Sequence, residues 1–187
     1  DKPLVVFVWG SLGAENMNEV MCRFIELAGK KPGFTLIHSA GIEGYEKMVE
    51  HLRRTVPDYE KNGMDVREYI YDMPRVMAAA DLVLCRAGAS TISELTYMHK
   101  PTIFVPSPFV TNNHQFKNAK VVEDAGGALI FEEGWFEPKE LLKAVNDILS
   151  SDDKLEKMSA AMAKLAKPEA TDMICDRIFS LLAENRK

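Results

Sequence analysis

Short apolar runs alternate along the chain with longer segments whose apolar residues recur every three or four positions. The first run, residues 4–9, is nearly continuous and rich in β-branched residues. Runs of this length and composition are typical of strands that are covered on both faces. The pattern predicts six strands, at residues 4–9, 34–38, 66–70, 82–85, 101–105 and 128–131.

The segments between these runs have the spacing of amphipathic helices. The first of them carries apolar residues on one face and ends at Gly29, a residue that commonly closes helices. The same signals predict helices at residues 17–28, 43–55, 74–80, 90–99, 114–126, 138–149, 154–166 and 168–184. Strands that alternate with helices predict an α/β fold, a Rossmann-like doubly wound parallel six-stranded sheet with helices on both faces.

Length and composition indicate one domain over residues 1–187, because the chain has 187 residues and is 47% hydrophobic. The net charge of −5 disfavours nucleic acid as a partner, since a phosphate backbone asks for a basic face. No apolar run approaches the roughly 20 residues of a membrane helix.

Three widely spaced cysteines predict neither a disulfide framework nor a zinc site, and they fit a reducing cytoplasm. The chain opens at Asp1 directly into a strand, which suggests that something preceded it.

Three loops of small or polar residues follow predicted strands, at residues 10–14, 87–91 and 106–115. In open parallel sheets, ligands bind beyond the carboxyl ends of the strands. We therefore expect these three loops to form a ligand site together.

The second of these loops joins a buried strand to a helix through residues without bulk. An anion such as a phosphate would be stabilised at the start of that helix, where backbone N–H groups are free. Glu94 can accept two hydrogen bonds, which suits a vicinal diol such as a ribose. The alternative is structural, because Thr91 and Glu94 have the spacing of a capping box. On these residues alone, the capping box is favoured.

Several common ligand motifs are missing. The loop at residues 10–15 lacks the third glycine of a dinucleotide fingerprint, and the strand ending near His38 has no acidic residue for a ribose. Neither a phosphate-loop lysine nor a Gly-x-Ser-x-Gly elbow occurs. The four histidines do not form a metal-ligand set, and only His114 lies in the expected site.

Five blocks, taken in order, carry a family resemblance: GSLGA at 10–14, IYDM at 70–73, CRAGASTISE at 85–94, PTIFVP at 101–106 and NHQ-x-x-NA at 113–119. They resemble the C-terminal, donor-binding domain of the bacterial peptidoglycan N-acetylglucosaminyltransferases of glycosyltransferase family 28. The similarity covers nearly the whole chain. One departure is Trp9, which stands where the family commonly has a glycine; it either narrows the following turn or ends the strand in the core, and the core position is favoured.

The resemblance implies one half of a two-domain GT-B glycosyltransferase, without a cofactor or a protein-bound metal. This half would bind UDP-GlcNAc, from which GlcNAc is transferred with inversion to a lipid-linked muramyl-pentapeptide, converting lipid I to lipid II. The general base, the acceptor surface and the membrane contact would belong to an N-terminal domain, so no catalytic residue is expected here and the isolated chain should not transfer sugar. The full-length protein would act in the cytoplasm at the inner face of the cell membrane. The last helix, about residues 168–187, would pack against the other domain.

The resemblance also implies a role for each matching residue. The turn with Gly10, Ser11 and Gly13 would face the diphosphate, and backbone groups of Ile70 would read the uracil edge near Met73. Glu94 would bind the ribose hydroxyls. The phosphate and sugar path would be lined by Ala89, Ser90 and Thr91, with His114 and Gln115 hydrogen-bonding GlcNAc, and the predicted set is completed by Arg86, Gly88 and Asn118.

Two other interpretations of the sequence stay open. One is a separate donor-binding subunit of a two-chain transferase that acts on a lipid-linked GlcNAc acceptor. The other is a non-catalytic nucleotide-binding module of the same architecture.

Overall fold

Six parallel strands form one sheet in the computed structural model, which describes residues 2–10 and 14–184. The strands are β1 (Leu4–Val8), β2 (Thr35–Ser39), β3 (Met64–Arg67), β4 (Leu82–Cys85), β5 (Thr102–Phe104) and β6 (Ala128–Ile130). Their order across the sheet is β3-β2-β1-β4-β5-β6. This confirms the predicted doubly wound α/β fold.

Helices connect the strands and then close the chain. They are α1 (Glu15–Ala28), α2 (Ile42–Thr55), α3 (Met73–Ala79), α4 (Ala89–Tyr97), α5 (His114–Asp124), α6 (Pro138–Leu149), α7 (Asp152–Leu165) and α8 (Ala170–Glu184). A 3₁₀ turn, Thr111–Asn113, leads directly into α5. Each of α1 to α5 follows a strand and therefore begins at the carboxyl edge of the sheet.

Two hydrophobic clusters cover the two faces of the sheet. Successive residues of β1 point to opposite faces, so that Val5 and Phe7 belong to one cluster and Val6 to the other. The first cluster includes buried residues of α1, α2 and α6, and the second includes residues of α3, α4, α5 and α7. Because both faces are covered, the strands have the continuous apolar runs seen in the sequence.

The strand order reverses between β1 and β4. Strand β1 pairs with β2 on one side, where Val8 lies opposite Ser39, and with β4 on the other, where Val8 lies opposite Cys85. Chain connections therefore leave β1 and β4 in opposite directions. Such a reversal opens a crevice at the carboxyl edge of the sheet.

The predicted bounds of the third strand, 66–70, were wrong. The strand begins at Met64, directly after a turn in which Gly63 has φ of +86°. It ends at Arg67, and Ile70 beyond it is buried in the cluster on the face of α3 and α4. The apolar run in the sequence therefore spans two environments, the end of a strand and a buried loop.

The last helix, α8, begins at Ala170 and has no buried residue. Its large apolar residues are Met173, Ile174, Ile178, Phe179, Leu181 and Leu182, and all of them are exposed. Within residues 2–10 and 14–184, no helix is both long enough and apolar enough to span a bilayer.

His38 lies buried at the end of β2 and titrates far from its ordinary range. Its Nε2 is 3.0 Å from Oδ1 of Asn18, whose Nδ2 donates to the carbonyl of Ala40 at 2.8 Å. An amide oxygen can only accept, so Nε2 carries the proton and the ring is neutral. Burial without a charged partner lowers the pKa of His38 from 6.5 to about 3.

This burial predicts a pH dependence of stability. Between about pH 6.5 and pH 4 the unfolded chain binds a proton at His38 that the folded chain does not bind. The free energy of unfolding should therefore fall by about 1.4 kcal/mol per pH unit as the pH drops through this range. Urea unfolding of wild type and His38→Gln at pH 7, 6 and 5 measures this slope. The wild type should show the additional slope and His38→Gln should lack it. His99→Gln, which removes an exposed histidine, is the control and should keep the slope. Equal slopes in wild type and His38→Gln would contradict the prediction.

Candidate functional site

The crevice between β1 and β4 is bordered by Trp9 and Arg86, the first residues after these strands. Trp9 is 3% exposed and its ring packs edge-on against Phe7, which confirms the favoured core position. The guanidinium carbon of Arg86 lies 5.8 Å from the centre of the Trp9 ring, within cation–π range. The unusual tryptophan therefore fills the base of the crevice and contacts the arginine of the neighbouring strand.

A cavity of about 420 Å³ opens above this pair. It is lined by Trp9, Ala14, Glu15, Asn16, Arg86, Ser107, Phe109, Gln115 and Glu133. These residues come from the connections after β1, β4, β5 and β6. The structure thus brings together the ends of four strands, as expected for loops that follow parallel strands, and places the predicted site residues Arg86 and Gln115 in one cavity.

Gln115 lies at the start of α5, and one of the two polar groups of its side chain is hydrogen-bonded. Its Oε1 accepts a hydrogen bond from the backbone N–H of Ser107 at 2.9 Å. Its amide nitrogen has no hydrogen-bond partner among residues 2–10 and 14–184, although it can donate two bonds. The fixed oxygen orients the side chain and leaves the donor end towards the cavity.

The two other predicted residues of α5 have different surroundings. Asn118 is half-buried, and its Nδ2 donates to the carbonyl of Ala87 at 3.3 Å, which ties α5 to the loop after β4. His114 is exposed, and its Nδ1 donates to the carbonyl of Thr111 at 3.0 Å. Asn118 therefore supports the loop, whereas His114 stays at the surface of the helix start.

Helix α4 begins at Ala89, and the predicted capping box was wrong. Gly88 is the N-cap residue with an extended backbone, and Ile92 N–H donates to its carbonyl at 2.9 Å. Thr91 is therefore already the third helical residue and cannot cap the helix. Glu94 lies exposed on the second turn, and its side chain makes no hydrogen bond to any residue of the described part of the chain.

Three helix starts around the crevice lack side-chain caps. The N-cap residues are Ala14 for α1, Gly88 for α4 and Asn113 for α5, and none of them caps through its side chain. The backbone of Asn113 is left-handed, with φ of +52°. By contrast, Ser151 accepts from Lys154 N–H at the start of α7. Helix starts with free N–H groups carry partial positive charge, so this edge of the sheet suits an anion.

The remaining predicted residues lie around α4. Ala89 and Ser90 are exposed at its first turn, and Thr91 is half-buried. Met73 begins α3, and the side chain of Ile70 is buried just before it. Within the described ranges, neither the backbone N–H nor the carbonyl of Ile70 has a hydrogen-bond partner.

The structure does not gather all the predicted residues in one cavity. Of the predicted residues that the structure describes, Arg86 and Gln115 line the 420 Å³ cavity. The others do not line it: Gly10, Ile70, Met73, Gly88, Ala89, Ser90, Thr91, Glu94, His114 and Asn118. Gly10 is exposed, with φ of +99°, a conformation that favours glycine. Ser11 and Gly13 lie outside the described residues.

Glu133 is a site residue that the sequence did not predict. It lies in the loop after β6, and its carboxylate forms an ion pair with Arg86. A single glutamate in a polar loop carries no sequence signal, because its partner is 47 positions away and on another strand end.

A larger cavity of about 650 Å³ lies between α1 and α2. Side chains of these two helices form most of its wall, and no described member of the predicted site lines it. The smaller cavity is the better candidate, because it lies where the strand order reverses and where several helix starts converge. Within the described residues, no group of three or more histidine, cysteine or acidic side chains is placed to hold a metal ion.

The model of the glycosyltransferase family 28 C-terminal domain matches residues 4–174. Two relatives named UDP-N-acetylglucosamine–N-acetylmuramyl-(pentapeptide) pyrophosphoryl-undecaprenol N-acetylglucosamine transferase are similar over most of the chain. The one from Acetivibrio thermocellus is 36% identical over 97% of this chain and 48% of its own length. The one from Caldicellulosiruptor saccharolyticus is 39% identical over 93% of this chain and 46% of its own length. The chain therefore spans about half the length of the curated relatives it matches.

Solved structures agree with the sequence comparisons. MurG from Acinetobacter baumannii superposes with a TM-score of 0.81 at 28% identity, over 96% of this chain and 50% of that one. A UDP-GlcNAc 2-epimerase from Neisseria meningitidis superposes with a TM-score of 0.67 at 14% identity, over 96% of this chain and 44% of that one. At that identity the second likeness shows the fold alone.

The uncapped start of α4 predicts how substitutions there affect stability. Glu94→Ala should change the free energy of unfolding by less than about 0.5 kcal/mol, because Glu94 is exposed and caps nothing. Ser151→Ala should cost about 1 kcal/mol, because Ser151 does cap α7. Urea unfolding of both variants tests the difference, and an equal loss in Glu94→Ala would restore the capping box.

Proposed function

The chain belongs to the family of glycosyltransferase family 28 C-terminal domains, and from this premise we propose that it binds UDP-GlcNAc as the donor half of an inverting glycosyltransferase. In the proposed whole protein, GlcNAc is transferred to a lipid-linked muramyl-pentapeptide, which converts lipid I to lipid II. The observation that carries the proposal is the 36% identity, over 97% of the chain, to a relative named as such a transferase. The site geometry supports it independently.

The diphosphate of the donor would lie at the start of α4. The N–H groups of Ala89, Ser90 and Thr91 have no partner among the described residues, and the positive end of the helix dipole points at the same place. Arg86 is already paired with Glu133. Backbone groups and helix ends, rather than a free cation of the described chain, would therefore stabilise the phosphates.

The two ends of the donor would extend in opposite directions from the phosphates. GlcNAc would enter the 420 Å³ cavity, where the free amide nitrogen of Gln115 can donate to a sugar hydroxyl. Uridine would lie along α4, where the exposed carboxylate of Glu94 can accept from both ribose hydroxyls. The free backbone groups of Ile70 would read the uracil edge beside Met73. This pose uses the predicted residues that line the cavity and also those that lie outside it, along α4 and before α3.

The proposed chemistry is displacement at the anomeric carbon, with UDP as the leaving group. The oxygen of the acceptor hydroxyl forms the new glycosidic bond, the bond to the diphosphate breaks, and a general base takes the hydroxyl proton. Positive charge at helix starts stabilises the departing diphosphate. We assign the base, the lipid acceptor surface and the contact with the inner face of the cell membrane to the other half of the whole protein. The exposed apolar face of α8 would pack against that half.

A ligand panel tests the proposed donor. At a concentration about 100-fold above Kd, a ligand stabilises the folded chain by about 2.7 kcal/mol, which raises the Tm of a chain of this size by roughly 5–10 °C. Thermal shift measurements with UDP-GlcNAc, UDP and NAD should show this rise for UDP-GlcNAc and UDP but not for NAD. A preference for NAD, or no response to either uridine nucleotide, would overturn the proposed function.

The chain alone should bind donor without transferring sugar to a lipid acceptor.

Glu94 provides a residue-level test. Glu94→Ala should weaken UDP binding roughly 10- to 100-fold, because two hydrogen bonds to a charged acceptor are lost. Calorimetry with UDP measures the affinity. Glu156→Ala is the matched control, since Glu156 is also exposed on a helix but lies beside Asp81 and His99, at the opposite edge of the sheet. Unchanged UDP affinity in Glu94→Ala would remove Glu94 from the donor site.

A further inference from the structure

The ion pair between Arg86 and Glu133 is shielded from solvent at the base of the 420 Å³ cavity. The side chain of Arg86 is 14% exposed and that of Glu133 is 8% exposed. Nη1 of Arg86 approaches Oε2 of Glu133 as an ion pair without the alignment of a hydrogen bond. Removing two charges from water costs free energy, which makes such a pair weak evidence for a stabilising role. Another role for the pair has to be sought in its surroundings.

The pair connects the ends of β1, β4, β5 and β6 and the first turn of α1. Nη1 of Arg86 also donates to the carbonyl of Val105 at 2.9 Å, which fixes the end of β5. The same guanidinium packs over the ring of Trp9 at the end of β1. Oε1 of Glu133 accepts from Nδ2 of Asn16 at 3.3 Å, in the first turn of α1. One carboxylate therefore sets the position of the group that links the strand ends.

The loop after β6 is built to hold Glu133 at this place. Trp135 N–H donates to the carbonyl of Glu132 at 3.0 Å, which closes a tight turn around Glu133. Gly134 takes φ of +85° in that turn, a conformation that other residues rarely adopt. The rings of Phe131 and Phe136 pack edge-on at 5.3 Å and join the two sides of the loop.

Without Glu133, the charge of Arg86 would be uncompensated in a poorly solvated place. The guanidinium would then turn towards water or towards the nearest anion, because an unpaired charge is costly to bury. In either case it would leave the carbonyl of Val105 and the ring of Trp9. The cavity wall that contains Gln115 and Ser107 would then lose its contact with the Arg86 guanidinium.

We propose that Glu133 is a positioning residue of the donor site: its carboxylate holds Arg86 against Trp9 and Val105, and this fixes the wall of the cavity that receives the donor sugar. The inference rests on the proposed function. It gives Arg86 a supporting part instead of direct contact with the diphosphate. It also gives Trp9 a function in this chain, as the surface on which the guanidinium is held.

The proposal predicts a selective effect on the sugar end of the donor. The cavity contains Gln115 and the Arg86–Glu133 pair, whereas Ile70 and Glu94, which would hold uridine, lie outside it. Loss of the carboxylate should therefore weaken binding of UDP-GlcNAc more than binding of UDP. A general loss of structure would weaken both ligands equally.

The test compares Glu133→Gln, Glu133→Asp and Glu132→Gln in the chain by calorimetry with UDP-GlcNAc and with UDP. Glu132 is the matched control, because it is the neighbouring glutamate but is exposed and forms no ion pair among the described residues. Glu133→Gln should weaken UDP-GlcNAc binding about fivefold or more, because loss of a charge-assisted contact is large enough to produce this change. UDP binding should weaken less than about twofold. Glu133→Asp keeps the charge and should recover part of the affinity, and Glu132→Gln should match wild type.

Fluorescence of Trp9 gives a readout that does not require ligand. Trp135 is the other tryptophan and is 87% exposed, so Trp135→Phe leaves Trp9 as the sole indole reporter. In this background Glu133→Gln should change the emission of Trp9, because the guanidinium leaves its ring, and Glu132→Gln should not.

The outcomes distinguish failure of the proposed function from failure of the positioning role of Glu133. If wild type does not bind UDP-GlcNAc, the proposed function fails. If wild type binds but Glu133→Gln keeps its affinity for UDP-GlcNAc, or loses affinity for UDP and UDP-GlcNAc equally, the positioning role is wrong. Should Glu133→Gln fail to fold because Arg86 is left unpaired, the double variant Arg86→Met/Glu133→Gln removes both charges. Unchanged affinity for UDP-GlcNAc in this double variant would overturn the proposal.

Discussion

Parallel pairing of all six strands determines where the loops and helix starts of this protein lie. It brings every strand's carboxyl end to one edge, and each connecting helix must start there. Reversal of the strand order between β1 and β4 then separates the neighbouring connections and opens a crevice at that edge. The loops after β1, β4, β5 and β6 meet at the crevice, although they are far apart in the sequence.

The chemistry of this edge comes largely from backbone groups. The starts of α1 and α4 have no side-chain caps, so their N–H groups and partial positive charges are available to an anion. Arg86, the cation nearest the crevice, is committed to Glu133, Val105 and Trp9. In the proposed site, the main chain would hold the diphosphate, while the side chains of Gln115 and Glu94 would meet the two ends of the ligand.

Sequence patterns predicted the elements whose signals are local. Strand β4, Leu82–Cys85, was predicted with its observed bounds because all four residues are buried, and α6 because Pro138 marks its first turn. The third strand was misplaced because Ile70 is apolar for a different reason, its burial in a loop beyond the strand. The capping box failed because Thr91 and Glu94 have the right spacing inside a helix that had already begun. Glu133 was missed because its meaning depends on an ion pair across the sheet edge, and no local pattern encodes that contact.

In the proposed complex, the donor lies at the crevice between β1 and β4, with its phosphates on the start of α4. A ¹H–¹⁵N NMR titration of the chain with UDP-GlcNAc tests this directly, because it reports on each backbone amide. The proposed pose predicts that the largest shift changes occur at Ile70, Ala89, Ser90, Thr91 and Gln115. Changes confined to Gly44, Met48 and their neighbours in the larger cavity between α1 and α2 would contradict it.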